Sequence, residues 1–271
     1  MNIPFFKYQG AGNDFILIDQ REQRYIKPDE TPASTIRQCC DRHFGIGADG
    51  LILLEYSSST DFEMVYYNSD GHLSTMCGNG GRCIARFAAD LGIFTDVTTF
   101  MAVDGHHKAR MSGTQVELEM QSVDQIEHIG LDLYLDTGSP HYVRFVDQLE
   151  RVSVVPEARA IRYNDRFTEE GTNVNFVQVV EETLHIATYE RGVEGETLAC
   201  GTGVTAAAIA YLEQSSWPDG DYDIPVIARG GDLRVRFHWS NKKASQIWLI
   251  GPAQYVFKGV IDLAPQKLLK G

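Results

Sequence analysis

The chain has 271 residues, 43% hydrophobic and 23% charged, an ordinary globular profile that can bury a core without disulfide or metal staples and, at roughly 150 residues per domain, suggests two domains. Lys and Arg number 24 against 37 Asp and Glu, a net charge of −13, which argues against nucleic acid and anionic membranes as partners. Five cysteines, two of them the adjacent Cys39 and Cys40, offer no pairing scheme for a secreted framework, so free thiols in a reducing cytoplasm are expected. The opening MNIPFFKYQGAGND lacks the charged-then-apolar pattern of an export signal, and the most apolar helical stretch, 203 to 212, is too short to span a bilayer.

In chain order, residues 3 to 9 and 15 to 19 read as strands around a GAGND turn, and Thr31-Pro32 opens a helix over about 33 to 43. LILLEY (51 to 56) and FEMVYY (62 to 67) read as strands. A glycine-rich loop leads into a helix from Cys77 to about Leu91, with Ile84, Phe87, Ala88 and Leu91 on one face and Gly92 at its end. TTFMAVDGHHKARMSGTQVELEM reads as a meander of three short strands with His106 and His107 at the surface. The second half repeats the plan: strands at 131 to 136 and 141 to 146 flank a TGSP turn, a short helix near 156 to 163 interrupts an irregular stretch, and NVNFVQVVEETLHIATYER reads as a hairpin about Glu181-Glu182. A second helix runs from Cys200 to about Glu213, and strands at 224 to 229, 233 to 238, 245 to 250 and 253 to 260 finish the chain.

Superposing the two helices aligns Cys77-Gly-Asn-Gly-Gly-Arg-Cys with Cys200-Gly-Thr-Gly-Val-Thr-Ala. The cysteines are 200 − 77 = 123 residues apart, close to half the chain, so an internal duplication of one α/β domain is expected. A cysteine at a helix start faces unsatisfied N–H groups and the positive end of the dipole, which favours its thiolate. Adjacent glycines leave those N–H groups open to a carboxylate. Two such thiols facing each other can take a proton from one face of a carbon and return one to the other, without a cofactor. A redox pair lacks the C-x-x-C spacing of a thiol oxidoreductase, and no His or Cys pair has zinc-finger spacing, so no metal is expected. Cys39, Cys40 and Cys83 read as core packing. Gly45-Ile-Gly-Ala-Asp-Gly50 fits G-x-G-x-x-G literally, but a helix precedes it and a strand follows, the reverse of a dinucleotide site, so it reads as a structural turn.

The remaining polar residues at loop positions are Asn13, Asn68, Ser139, His141, Asn173, Glu190 and Arg191. Together they offer a zwitterionic amino acid an arginine for its carboxylate, amides and a hydroxyl for orientation, and a Glu and a His as partners for the thiols. A non-catalytic amino-acid-binding protein is the other class considered, and thiols at both helix starts argue against it.

KYQGAGNDFILID, FGIGADGL, YYNSDG followed by CGNGGRC, SPHYV, NVNF and YERGVEGETLACGTG together resemble the diaminopimelate epimerase family, over essentially the whole chain and in order. The resemblance implies cofactor-independent interconversion of LL- and meso-diaminopimelate, in lysine and peptidoglycan-precursor biosynthesis, with Cys77 and Cys200 as the catalytic thiols. It implies that Asn13, Asn68 and Asn173 hold the substrate beside Glu190 and Arg191, with Ser139 retained as a binding residue. It implies further that the N–H groups of Gly78-Asn79 and Gly201-Thr202 take the carboxylate, and that His141 and Glu190 assist the thiols, His141 for Cys77 and Glu190 for Cys200. It also implies an α+β fold of two pseudosymmetric domains, each a mostly antiparallel curled sheet around a central helix, assembled as a homodimer. The expected division is 1–124 and 125–253, with the strand 254–271 returning to the first domain. Another racemase of the superfamily, with a proline-like substrate, is the alternative enzyme. Gly50 stands where many members carry Gln, Ser139 where many carry Asn, and YERGVEGETLACG is one residue longer than the commonest form; these departures bear on how the distal end of the substrate is held.

Overall fold

Alternating apolar residues make nearly half of this chain strand, and in the computed structural model, which describes residues 2–262, one pairing scheme occurs twice. Its first copy comprises β1 (Asn2–Gly10), β2 (Asn13–Asp19), α1 (Ala33–Cys40), β3 (Gly50–Glu55), β4 (Phe62–Asn68), β5 (Leu73–Ser74), α2 (Gly78–Asp90), β6 (Val97–Ala102), β7 (Gly105–Ser112), β8 (Gln115–Met120) and β9 (Ile126–Ile129). The second comprises β10 (Asp132–Asp136), β11 (Pro140–Phe145), α3 (Val154–Arg162), β12 (Asn173–Val180), β13 (Thr183–Glu190), β14 (Gly195–Thr197), α4 (Gly201–Ser215), β15 (Gly220–Ala228), β16 (Gly231–Ser240), β17 (Lys243–Pro252) and β18 (Gln254–Asp262). No helix among the described residues is long and apolar enough to cross a membrane.

The two copies match pairing for pairing. β1 and β2 are antiparallel, β2 and β3 parallel across α1, β3 and β4 antiparallel, and β4 and β6 parallel across α2. Likewise β10 and β11 are antiparallel, β11 and β12 parallel across α3, β12 and β13 antiparallel, and β13 and β15 parallel across α4. Each parallel step needs a crossover long enough to hold a helix, which is why the helices fall where they do. The short strands β5 and β14, for which the sequence gives no sign, hook onto β4 and β13. The last strand of each copy pairs with a first strand: β9 joins β10, and β18 joins β1. Residues 263–271 of the returning segment lie outside the described residues.

Contacts divide the chain into two units, one running to Met76 and containing Gly80–Met111 and the chain from Ala253, the other containing Cys77–Asn79 and Ser112–Pro252. In the first, α2 turns Phe87 onto the rings of Phe6 and Tyr8, at 4.9 and 5.6 Å between centroids. In the second, α4 packs against β10 to β13 and β15 to β17. Every residue of α4 from Gly203 to Ala210 is buried. The sheet therefore covers this helix on all sides, which accounts for a helix without an amphipathic stripe.

The G-x-G-x-x-G segment is a structural turn, tied down by charge. Lys7 donates to the carbonyl of Gly47 and pairs with Asp14 at 2.8 Å, while Arg42 bridges Asp14 and Asp49, both at 2.8 Å. Gly50 sits hard against Tyr66: a Cβ there would lie 2.5 Å from the Tyr66 ring and 2.6 Å from the Tyr67 carbonyl, so a glutamine has no room. Cys39, Cys40 and Cys83 are buried, and burial pushes the first two thiols up to about 11 and about 12. His106 is exposed as expected, but His107 is not a plain surface residue: its ring stacks on Phe100 at 5.3 Å and bonds Asp104 at 3.2 Å. The reason is strand alternation, which turns His107 toward the packed face.

Burial alone would raise the Asp14 carboxyl, but Arg42 and Lys7 outweigh it and hold it down at about 2. A carboxyl depressed in the folded state contributes stability above its unfolded value of ~4 and loses it as pH falls through the folded one. Asp14→Asn should therefore lower the urea midpoint at pH 7 and flatten its dependence on pH between ~4 and ~2; unfolding curves at stepped pH check this.

Candidate active site

The second unit contains Cys77–Asn79 together with the whole of Cys200-Gly-Thr-Gly203. Cys77 precedes the first turn of α2 and Cys200 is the N-cap of α4, its backbone extended at φ −114°, ψ 112°. The two helix starts abut through their glycines. A Cβ on Gly201 would lie 3.2 Å from the Cα of Gly78 and 2.8 Å from a Leu249 methyl, so glycine is required there by close approach. The Asn79 side chain donates to the Ala199 carbonyl at 2.9 Å, fastening the first helix start to the chain entering the second. Cys77 is half-buried and Cys200 nearly closed off.

Burial dominates the Cys200 thiol and pushes it up to about 12, with the negative charge of Glu190 adding to the push and Cys77 contributing less. Thr202 and the Gly203 N–H act the other way. That N–H turns its positive end toward Sγ without closing a geometric cap bond. Thr202 Oγ1 lies 3.3 Å from Sγ. The site thus holds Cys200 as a thiol while supplying the dipoles a thiolate needs.

Strands β11 and β12 place the surrounding residues. Their parallel register sets His141 beside Asn173 and Val143 beside Asn175, and the two-residue period turns Asn173 and Asn175 to one face. Asn173 is a bridge: its amide donates to Ser139 Oγ at 3.2 Å and to the Pro140 carbonyl at 3.0 Å, and its oxygen accepts the Arg191 N–H at 2.9 Å. His141 is fully buried, between Ser139 Oγ at Nε2 and the Asn175 amide at Nδ1, each at 3.0 Å. Burial, with the Arg191 charge adding to it, drives its pKa down to about 3, so the ring is neutral at physiological pH. The Arg191 guanidinium donates to the Glu170 carbonyl at 2.6 Å.

Asn175, Thr188 and Thr137 belong to this assembly and were missed in the sequence. Thr188 donates to the Asn175 oxygen at 2.9 Å, and Thr137 donates to the Thr202 carbonyl at 2.9 Å. The available signal for Asn175 was an amide inside an otherwise apolar strand, two residues from Asn173. Glu194 is a further one: both Tyr163 and Tyr189 donate to its carboxylate at 2.7 Å, holding it at about 2. These bonds pin the turn containing the extra residue of YERGVEGETLACG. Asn13 and Asn68 lie in the first unit. Asn13 donates to Asp49 at 2.6 Å, and Asn68 pairs in register with Gly50.

This architecture places the chain in the structural class that holds PhzF proteins and proline racemases. It superposes on a phenazine biosynthesis protein of the PhzF family from Bacillus anthracis with a TM-score of 0.75 at 14% identity, covering 97% of this chain and 100% of that one. A hydroxyproline epimerase from Agrobacterium vitis gives 0.65 at 15% identity, with 97% and 93% covered. Within that class the chain belongs to the diaminopimelate epimerase family, whose model matches residues 5–127 and again 133–256. Diaminopimelate epimerases of Flavobacterium psychrophilum and Aquifex aeolicus are 48% and 39% identical to it, across 96% and 95% of this chain and 100% and 97% of theirs.

Gly203 tests how tightly this scaffold sets the site. A Cβ there would lie 2.5 Å from the Asn175 oxygen and 3.3 Å from the His141 ring. Gly203→Ala should displace both and lower kcat about 100-fold, a cost typical of misplacement near 1 Å, while circular dichroism still shows the native fold.

Proposed function

We propose that the chain interconverts LL- and meso-2,6-diaminopimelate, serving lysine and cell-wall precursor synthesis, with Cys77 and Cys200 as the two proton-transfer groups. One thiolate removes the α-proton from one face of the carbon, and the opposite thiol delivers its proton to the other face. The stereocentre is inverted, and thiol and thiolate have exchanged places. Family membership supports the substrate; the observation that carries the chemistry is the abutment of two cysteine-bearing helix starts at Gly78 and Gly201.

An α-proton beside a carboxylate is weakly acidic, and general acid-base catalysis supplies only about 10² to 10⁴. The rest must come from charge stabilisation. The N–H groups of Gly78-Asn79 and Gly201-Thr202 receive the carboxylate in this reading, each at a helix start whose first N–H groups have no intrahelical partner. Glu190, whose charge bears on Cys200, draws the proton from that thiol when Cys200 starts as the base. Arg191, Asn13, Asn68 and Asn173 are the remaining substrate contacts in this reading. An odd count of five cysteines, two of them adjacent, supports a cytoplasmic setting.

A homodimer fits the same reading. Strand β18 pairs with β1 and exposes Tyr255, Val256, Phe257 and Val260 by 44 to 64%. An exposed apolar edge strand is an aggregation hazard unless a partner covers it.

In D₂O, turnover of LL-diaminopimelate should carry deuterium into the inverted α-position, and Cys77→Ala and Cys200→Ala should each abolish inversion. Full activity in Cys200→Ala would overturn the two-thiol mechanism; turnover of proline in place of diaminopimelate would shift the substrate class. Light scattering should give twice the chain mass for the wild type and the monomer mass for Phe257→Lys, and a monomeric wild type rules the dimer out.

A further inference from the structure

We infer that Ser139 and Thr202 form a directed hydrogen-bond chain from His141 to Cys200, which makes Ser139 a positioning residue for the Cys200 thiolate. The inference rests on Cys200 being a proton-transfer group, as proposed above.

The direction of each hydrogen follows from one backbone carbonyl. Asn175 Nδ2 lies 3.0 Å from the Tyr142 carbonyl, which can only accept, and the Thr188 hydroxyl meets Oδ1 at 2.9 Å. These two contacts fix the amide the right way round. Its second N–H then points at His141 Nδ1, 3.0 Å away, so that nitrogen is the acceptor. A neutral imidazole carries one proton, which is left on Nε2, 3.0 Å from Ser139 Oγ. Ser139 also accepts the Asn173 amide at 3.2 Å. With both lone pairs engaged, the serine hydroxyl must donate, and Thr202 Oγ1 stands 3.2 Å away. Thr202, having accepted, turns its own hydrogen to Cys200 Sγ at 3.3 Å.

Each link polarises the next, so the sulfur meets a stronger donor than an isolated threonine provides. The other groups bearing on the pair are Glu190 and Cys77, whose negative charge opposes a thiolate at Cys200, and Arg191, whose positive charge keeps His141 neutral. The route from His141 to the sulfur is not direct: the ring acts through Ser139 and Thr202.

The test compares Ser139→Ala, Thr202→Val, the double variant and Ser139→Thr. Without substrate, in a Cys77→Ser background, the rate of Cys200 alkylation by iodoacetamide at pH 8, read by peptide mass spectrometry, should fall roughly threefold in Ser139→Ala. A one-unit rise in thiol pKa lowers the thiolate tenfold, and the greater nucleophilicity of the more basic sulfur returns part of that. With substrate, Ser139→Ala should lower kcat about tenfold with KM within twofold, and move the thiol limb of the pH profile upward. The double variant should be no slower than Thr202→Val, and Ser139→Thr should restore both readouts. A raised KM with unchanged kcat would make Ser139 a substrate contact instead. Multiplying losses in the double variant, or alkylation unchanged by Ser139→Ala, would overturn the chain even while Cys200→Ala remains inactive. If Cys200→Ala stays active, the two-thiol reading itself has failed.

Discussion

A thiol buried at the first turn of a helix is caught between two opposed forces, and the second unit is organised around that conflict. Removing Cys200 from water disfavours its charged form, and Glu190 adds to the penalty. The helix N-terminus and Thr202 favour the charged form. Neither side can be given up: water in the site would weaken every dipole that stabilises a developing carbanion, and without the dipoles the buried sulfur would be inert. The proposed two-thiol proton transfer needs both forms of the thiol to be accessible, and this balance supplies that.

The demand for close approach then sets the sequence around it. In the proposed site two helix starts share one anion, which requires small residues where they meet, and a Cβ on Gly201 would stand only 3.2 Å from the Gly78 Cα. Gly203 leaves room for Asn175 and the His141 ring. Neither glycine has a positive φ; they are there for space. Behind them, α4 can be alanine-rich and apolar on every side because strands surround it. A helix buried from Gly203 to Ala210 holds the cysteine at its N-cap in place.

The polar scaffold is built on rigid strands. His141, Asn173 and Asn175 sit on adjacent parallel strands whose register fixes their spacing, and Asn173 spends its amide joining the TGSP turn to the Arg191 turn. The departures at Ser139 and in the lengthened YERGVEGETLACG loop are absorbed locally. Ser139 enters the hydrogen-bond chain beside His141, and the Glu194 carboxylate anchors the loop to two tyrosines. At Gly50 the Tyr66 ring takes the space that a longer side chain would need.

What the sequence determined by itself was the repeat, the two thiols and their helix starts, because Cys-Gly-x-Gly at half-chain spacing is a local pattern read without knowing what lies nearby. Strand and helix positions were legible for the same reason: period-two and helical spacing are local. The short strands β5, β9 and β14 escaped because two to four residues carry no period. Tertiary structure alone decided the company each residue keeps. Asn175 showed in the sequence only as an amide within a strand, because its value lies in reaching His141 across a parallel register 34 positions away. His107 stacks on a ring that only strand pairing brings beside it. The hydrogen sense of the His141, Ser139 and Thr202 chain depends on the Tyr142 carbonyl acting through Asn175 of the neighbouring strand, and a direction relayed between strands is written in three dimensions only.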